Sequence, residues 1–307
     1  MRYARQGIGS LAGFALLLIT ACAQTPQLPT PPADNLHTLE LAVGQSLHYR
    51  LWNAESTAPP IVLIHGIPDS SATWQAIATV LSQTHPVYAV DLAGYGYSDW
   101  PEGYDLSIKA QAGYLREFMD KLGLRDVSVA GHDIGGGVAQ ILAVQNHTQV
   151  RRLILINSVI GDDWPVFEVR MLRLPVLGYG TFTLLENPIW SYMLHKGFYD
   201  DRKLTAPVIA HYRNSYGGPA GRQRLVRNAR ALDNTDLTSL SRQIDALATP
   251  TLILWGREDR FLDSMSAQRL CRALRDCRFD FIEHAGHFVL DEQPEKIAQR
   301  IQEFLRY

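Results

Sequence analysis

Cysteine is scarce in this chain: three occur in 307 residues, at positions 22, 271 and 277. That is too few for a small disulfide-stapled scaffold, and none has a His or a second Cys at zinc-ligand spacing. A dominant charge is missing as well. The net charge is -2 without any run of Lys or Arg, so no nucleic-acid partner is expected. The apolar stretch 8–20 is shorter than the ~20 residues a membrane-spanning helix needs. No internal repeat is visible. What remains is an ordinary globular composition, 46% apolar and 20% charged, at a length that suits one large α/β domain with an insertion, or two small domains.

The first residues do not belong to that domain. Arg2 and Arg5 make a positive start, and the uncharged stretch 8–20 follows, the pattern of a secretory signal. Residues 18–22 read Leu-Ile-Thr-Ala-Cys and resemble the bacterial lipoprotein box. The resemblance implies removal of residues 1–21, lipidation of Cys22 and membrane attachment of an exported cell-envelope protein. An ordinary signal peptide cleaved nearby, with Cys22 incidental, is the plainer alternative. Residues 22–37 are rich in Pro, Thr and Gln and read as an extended tether that cannot build a core. Export places the chain where disulfides persist. Cys271 and Cys277 then either pair across a helix end and the next strand, or remain two separate thiols.

Beyond the tether, period and length separate strands from helices. Residues 38–43 and 46–52 read as a β-hairpin turning at Gly44-Gln45. The short apolar runs 61–64, 87–91, 127–130, 153–156 and 251–255, with 278–283, read as strands, the central ones buried on both faces. Helical segments 71–81, 107–122, 134–145, 264–274 and 294–305 alternate with them. Ser107 can cap the second helix and Gly123 can end it. Such alternation implies a mostly parallel sheet covered on both faces. It breaks over residues 158–242, an aromatic-rich stretch with helical pieces, expected to be an inserted helical cap. The core is then 38–157 and 243–307.

The strongest motif is Gly131-His132-Asp133-Ile134-Gly135-Gly136, between a strand and a helix. Small residues two before and two after the centre match a nucleophile elbow, a turn tight enough to need glycine. It presents the central side chain and leaves the Ile134 N–H at a helix N-terminus, where it can bind an anion. A plain helix-capping Asp is the competing reading. Asp259 follows the strand 251–255 within Trp-Gly-Arg-Glu-Asp, and His287 follows the last strand within Ala-Gly-His-Phe. The order Asp133, Asp259, His287 is the nucleophile–acid–base order of α/β-hydrolases.

The segment His65-Gly66-Ile67-Pro68 resembles the H-G-x-P loop of epoxide hydrolases and their dehalogenase relatives, and residues 91–99 resemble the family's loop after the next strand. The resemblance covers the chain from about residue 41 to the C-terminus, apart from the cap. It implies an α/β-hydrolase fold, a second oxyanion donor at the Ile67 N–H beside that of Ile134, a cis peptide before Pro68, and structural roles for Asp91 and Asp99. No metal or organic cofactor is needed.

The residue type selects the chemistry. A Ser attacking saturated carbon gives an ether that water cannot readily cleave, whereas a carboxylate gives an ester that it can. An elbow Asp therefore points to a small apolar or amphipathic electrophile, an epoxide or a carbon–halogen bond. In the first step Asp133 would open it; in the second, His287, oriented by Asp259, would activate water against the ester. The leaving group discriminates. Haloalkane dehalogenases usually carry Trp after the nucleophile and often Asn in the H-G-x-P loop, where Ile134 and Ile67 stand here. Fluoroacetate dehalogenases usually place Arg after the nucleophile, and it is absent. Epoxide hydrolases use cap tyrosines; Tyr212 and Tyr216, four apart and able to share a helix face, are the candidate donors. Where the family's second cap Tyr often falls, this chain has Asn228-Ala229. Trp74, Trp164 and Trp190 are either pocket or core residues. The expected activity is that of an epoxide-hydrolase-like enzyme, with a dehalogenase as the alternative enzyme and a non-catalytic binding protein as the alternative of another class.

Overall fold

The computed structural model describes residues 35–146, 148–174 and 177–306. The expected signal, Cys22 and most of the tether lie outside them. Eight strands form one sheet: β1 (Leu36–Glu40), β2 (Ser46–Trp52), β3 (Ile61–Ile64), β4 (Val87–Val90), β5 (Val127–Asp133), β6 (Val150–Ser158), β7 (Thr251–Gly256) and β8 (Cys277–Ile282). Their spatial order is β1-β2-β4-β3-β5-β6-β7-β8. From β4 to β8 all neighbours are parallel; the two antiparallel pairings are β1 with β2 and β2 with β4. This is the α/β-hydrolase fold. The order reverses around β3, and in such sheets the ligand crevice opens beyond the strand carboxyl ends.

Apolar runs of consecutive residues serve both faces because side chains alternate. Ile61, Leu63, Ile154, Ile156, Leu252 and Leu254 pack against α1 (Gln75–Leu81) and, at the far end of the chain, the helix Pro294–Leu305. Val62, Ile64, Leu153, Leu155 and Ile253 face the other layer, built by α2 (Ile108–Lys121) and α3 (Ile134–Gln145). Ser107 caps α2 as its sequence foretold, accepting from the Ala110 N–H.

Between β6 and β7 lie helices: α4 (Phe167–Arg173), α5 (Leu177–Leu184), α6 (Glu186–Gly197), α7 (Ala206–Asn214), α8 (Gly218–Ala231), α9 (Thr235–Thr238) and α10 (Ser241–Asp245). Phe182, Trp190, Phe198, Tyr212, Tyr216 and Leu225 join the apolar cluster of the α2/α3 layer, so insertion and core share one interior. After β7 come α11 (Ser264–Ala273), α12 (Val289–Glu292) and α13 (Pro294–Leu305). Cys271 and Cys277 are joined by a disulfide from α11 to the start of β8, with Cα atoms 5.3 Å apart. Among the described residues no helix is long and apolar enough to cross a membrane.

Some boundaries differ from the sequence reading. The first strand starts at Leu36, so Leu36 and His37 belong to the sheet rather than to a tether. Their pairing with Arg50 and Tyr49 extends the ladder where propensity alone gave no signal. Residues 71–74 form a 3-10 turn before α1. The helical stretch runs past residue 242, through α10. Trp74 packs with α1 and α13 on the face away from the insertion, while Trp164 and Trp190 lie in the insertion-side cluster.

Candidate active site

The turn at Asp133 has φ 51°, ψ -122°, a left-handed conformation that a residue with a side chain adopts only when its surroundings impose it. The surroundings do. A Cβ on Gly131 would lie 2.2 Å from the Gly135 carbonyl oxygen, and one on Gly135 would lie 2.4 Å from the carbonyl oxygens of Ile64 and His65. Glycine at both places lets β5, the first turn of α3 and the end of β3 press together. Asp133 stands at the N-terminus of α3, yet its side chain makes no cap hydrogen bond to that helix. Its Oδ2 instead accepts the Ile67 N–H at 2.8 Å. Burial pushes the Asp133 carboxyl above its usual range, opposed by the His287 charge and by the N–H groups of Ile67 and Ile134. Of the two expected oxyanion donors, the Ile67 N–H engages this carboxylate by a hydrogen bond, and the Ile134 N–H follows it as the first N–H of α3.

The loop carrying Ile67 is pinned from below. The Leu92 N–H donates to His65 Nε2 at 3.0 Å, so His65 Nδ1 carries the proton and donates to the Gly66 carbonyl, 2.8 Å away. The Ile67–Pro68 peptide is cis. Asp91 is structural: its two oxygens accept the N–H groups of Ser71 and Tyr97. Asp99 pairs with Arg224 and Arg227.

Asp259 and His287 meet as expected, with Oδ2 and Nδ1 2.9 Å apart. Burial pushes Asp259 up, but the His287 charge and hydrogen bonds outweigh it, so the carboxyl sits below its usual range. Burial pushes His287 down, but Asp259 and, after it, Asp133 hold it above its usual value. The imidazole is packed between Phe261 and Phe288, with ring centroids 5.2 and 5.5 Å away. Its backbone N–H donates to the Gly197 carbonyl of α6 at 2.7 Å. Buried Glu292 accepts from the N–H groups of Gly286, Tyr199 and Asp200, stitching the His287 loop to the insertion.

Several residues were not singled out by sequence. Asn157, at the end of β6 with φ 39°, donates from Nδ2 to Asp259 Oδ2 at 2.7 Å and accepts the Gly256 N–H through Oδ1 at 2.9 Å. A polar residue closing a buried apolar strand was the available signal. His132, inside the elbow motif, places Nε2 2.9 Å from the His287 carbonyl, and burial and His287 push it down to about 4. Asp69 holds His211 of α7 at 2.7 Å across the seam between core and insertion.

Tyr212 and Tyr216 do not share a helix face, because α7 ends at Asn214 and Tyr216 lies in the following turn. The Tyr212 hydroxyl donates to Asp291, so it is already engaged. The Tyr216 hydroxyl is buried without a well-formed hydrogen bond. Among the described residues no group of three or more His, Cys, Asp or Glu side chains is arranged to hold a metal ion.

A buried carboxylate on a strained turn, the Ile67 N–H bonded to it and a His–Asp pair on neighbouring loops together suit nucleophilic and general-base chemistry. Comparison with known proteins agrees at the level of family. Residues 61–300 match the alpha/beta hydrolase family. Haloalkane dehalogenase 2 of Mycobacterium tuberculosis is 30% identical over 264 residues, covering 80% of this chain and 88% of that protein. Epoxide hydrolase 2 of Caenorhabditis elegans is 23% identical over 261 residues, covering 80% and 73%. An alpha/beta hydrolase fold protein from Burkholderia ambifaria superposes with a TM-score of 0.77 at 25% identity, covering 87% of this chain and 99% of that one. The chain belongs to the alpha/beta hydrolase family.

Proposed function

We propose that this hydrolase opens an electrophilic saturated carbon, an epoxide foremost, through an aspartyl ester on Asp133. One observation carries the reading: the Asp133 carboxylate sits on a positive-φ turn, leaves α3 uncapped and takes the Ile67 N–H. In the first step a carboxylate oxygen bonds to the substrate carbon and the carbon's bond to its leaving atom breaks. In the second, His287 takes a proton from water, the hydroxide adds to the ester carbonyl, and the alcohol leaves with the proton returned by His287. The N–H groups of Ile67 and Ile134 hold the oxyanion, each such donor being worth about 3 kcal/mol of barrier. Esterification removes the Asp133 charge that helps hold His287 up, which favours the neutral imidazole when a base is required.

Dehalogenation is the second reading. The 30% identical haloalkane dehalogenase favours it. Ile67 and Ile134 count against it, since neither side chain can donate to a halide. Incubation with styrene oxide and with a 1-haloalkane panel, following diol and halide, separates the two; tight binding without either product would indicate a binding protein. Replacing His287 by Gln is expected to trap an ester on Asp133. No adduct by mass spectrometry, with a substrate the native chain consumes, would overturn the mechanism.

The same proposal has the chain exported and held to the bacterial envelope by lipid on Cys22. The Cys271–Cys277 disulfide suits an oxidising compartment. A mature mass showing acylated Cys22 is the expected result; an unmodified chain cleaved elsewhere overturns it.

A further inference from the structure

His211 and Tyr212 are neighbours on α7, yet their side chains reach two different loops of the core. His211 Nε2 lies 2.7 Å from Asp69 Oδ1, in the loop after β3. The Tyr212 hydroxyl donates to Asp291 of α12, the one-turn helix that follows His287. The two rings stand edge-on to each other, with centroids 5.1 Å apart.

Each contact lies close to a group of the proposed chemistry. Asp69 is two residues beyond Ile67, whose N–H holds the Asp133 carboxylate. The Asp69 N–H donates back to the Gly66 carbonyl at 3.2 Å, and its Oδ1 also accepts the Ser70 N–H at 2.7 Å. Any shift of Asp69 is therefore passed to the Gly66–Ile67 turn. Asp69 is 3% exposed, so bulk water cannot stand in for His211 unless the seam opens. On the other side, the Asp291 N–H donates to the Phe288 carbonyl at 3.0 Å. The Tyr212 ring lies against Phe288 with centroids 4.8 Å apart, and Phe288 meets the His287 imidazole at 5.5 Å. One helix of the insertion thus grips the Ile67 loop with one residue and the His287 loop with the next.

Two carboxylates and their donors are taken out of water at this seam, which apolar side chains could have closed without that desolvation. Directional bonds, however, fix one arrangement where apolar contact tolerates several.

We propose that His211 and Tyr212 are positioning residues for the reaction: His211, through Asp69, holds the Ile67 N–H in place, and Tyr212, through Asp291 and Phe288, holds the imidazole of His287. The inference rests on the proposed Asp133 ester and gives the seating of the insertion a part in both of its steps. Neither side chain needs to touch the substrate. The Ile67 N–H orients the carboxylate for attack and later holds the oxyanion, so it serves both steps. His287 serves the second alone.

The two residues should therefore differ in kind when replaced. His211→Leu is expected to slow ester formation and ester hydrolysis alike, each about tenfold, short of the roughly hundredfold that a 1 Å misplacement can cost. His211→Gln, which keeps an N–H for Asp69, should recover most of that loss. Tyr212→Phe keeps the ring on Phe288 and loses only the hydroxyl. It is expected to leave ester formation within about twofold and to slow hydrolysis about tenfold, so that the ester accumulates.

The test uses the full chain in single turnovers with styrene oxide, with substrate, Asp133 ester and diol followed by rapid quench and mass spectrometry, and thermal melting alongside. In Tyr212→Phe, a ratio of the two steps equal to the parent's overturns the inference and leaves the Asp133 mechanism standing. So does a His211→Leu chain that melts lower yet turns over at the parent rate. Should His211→Leu not fold, Tyr212→Phe still decides. Absence of any ester in a His287→Gln chain defeats the mechanism and this inference together.

Discussion

Asp259 holds the imidazole of His287 through a single oxygen: Oδ2 accepts from His287 Nδ1 at 2.9 Å and from Asn157 Nδ2 at 2.7 Å, while Oδ1 is occupied by the N–H groups of Phe261 and Leu262. The carboxylate is thus fully committed and fixes the proton on Nδ1, leaving Nε2 as the base.

Asp259→Asn should disturb that tautomer without moving Asp133. Ester formation is expected within a fewfold of the native rate, and ester hydrolysis about a hundredfold slower or worse. Stopped-flow consumption of substrate with quenched mass analysis reads both steps. Equal slowing of the two steps would contradict the assignment. Asn157→Ala should shift the same balance more mildly, since one of several hydrogen bonds to Asp259 is lost.

His287 should titrate above 6.5 in the free protein, because Asp259 and Asp133 outweigh its burial. Its stabilising contribution is then complete below 6.5 and fades as pH rises through the raised folded value. Asp133→Asn removes one of the two carboxylate charges and should lower the His287 titration, as seen by proton NMR of the ring. An unchanged titration would mean that the two groups do not feel each other. Asp133 itself is raised from 3.8, so the alkylation rate should fall in acid through that raised value.

The seam between core and insertion carries its own pH dependence. Tyr212 of α7 donates to Asp291, whose carboxyl burial and Asp69 push up to about 6. His211, paired with Asp69, is held above its usual value despite burial. Both shifts are upward, so both contributions favour the folded seam in acid: the Asp291 part is lost as pH rises from 3.8 through about 6, and the His211 part as it rises beyond 6.5. Amide exchange in α7 should therefore quicken from about pH 4 to about 6 through Asp291 and again above 6.5 through His211, and Asp291→Asn should remove the first rise. Exchange that slows with pH, after correction for intrinsic rates, would refute it.

Gly135→Ala should be costly out of proportion to one methyl group. The new Cβ would lie 2.4 Å from two backbone oxygens at the end of β3, neither on a flexible side chain. A loss of about 1–3 kcal/mol is expected from overpacking, with a larger loss of turnover because the Ile67 loop must shift. Denaturant melts and kcat report the two effects separately.

Removing the disulfide by Cys271→Ser should cost about 2 kcal/mol, the chain-entropy value for so short a loop, and leave turnover unchanged. The pair joins α11 to β8 and contacts none of the three candidate catalytic side chains. Melting with and without reductant checks it.

The sheet and the three loop residues were legible because each rests on a local rule. Buried parallel strands read as short apolar runs, and the elbow demands glycine at fixed offsets from Asp133. Asn157 escaped because its role depends on one segment more than ninety residues away along the chain, from Gly256 at the end of β7 to Asp259 in the turn after it. The helix expected to carry both Tyr212 and Tyr216 stops at Asn214, where the turn into α8 begins. Spacing along the chain could not reveal that the Tyr212 hydroxyl is spent on Asp291.

The direction of β1 has a consequence for how the molecule presents itself. β1 is antiparallel to β2, and β2 is antiparallel to β4, so β1 runs the same way as β4 and enters the sheet at the pole opposite the catalytic loops. The described chain therefore joins the sheet at Leu36 on the side away from the helices between β6 and β7.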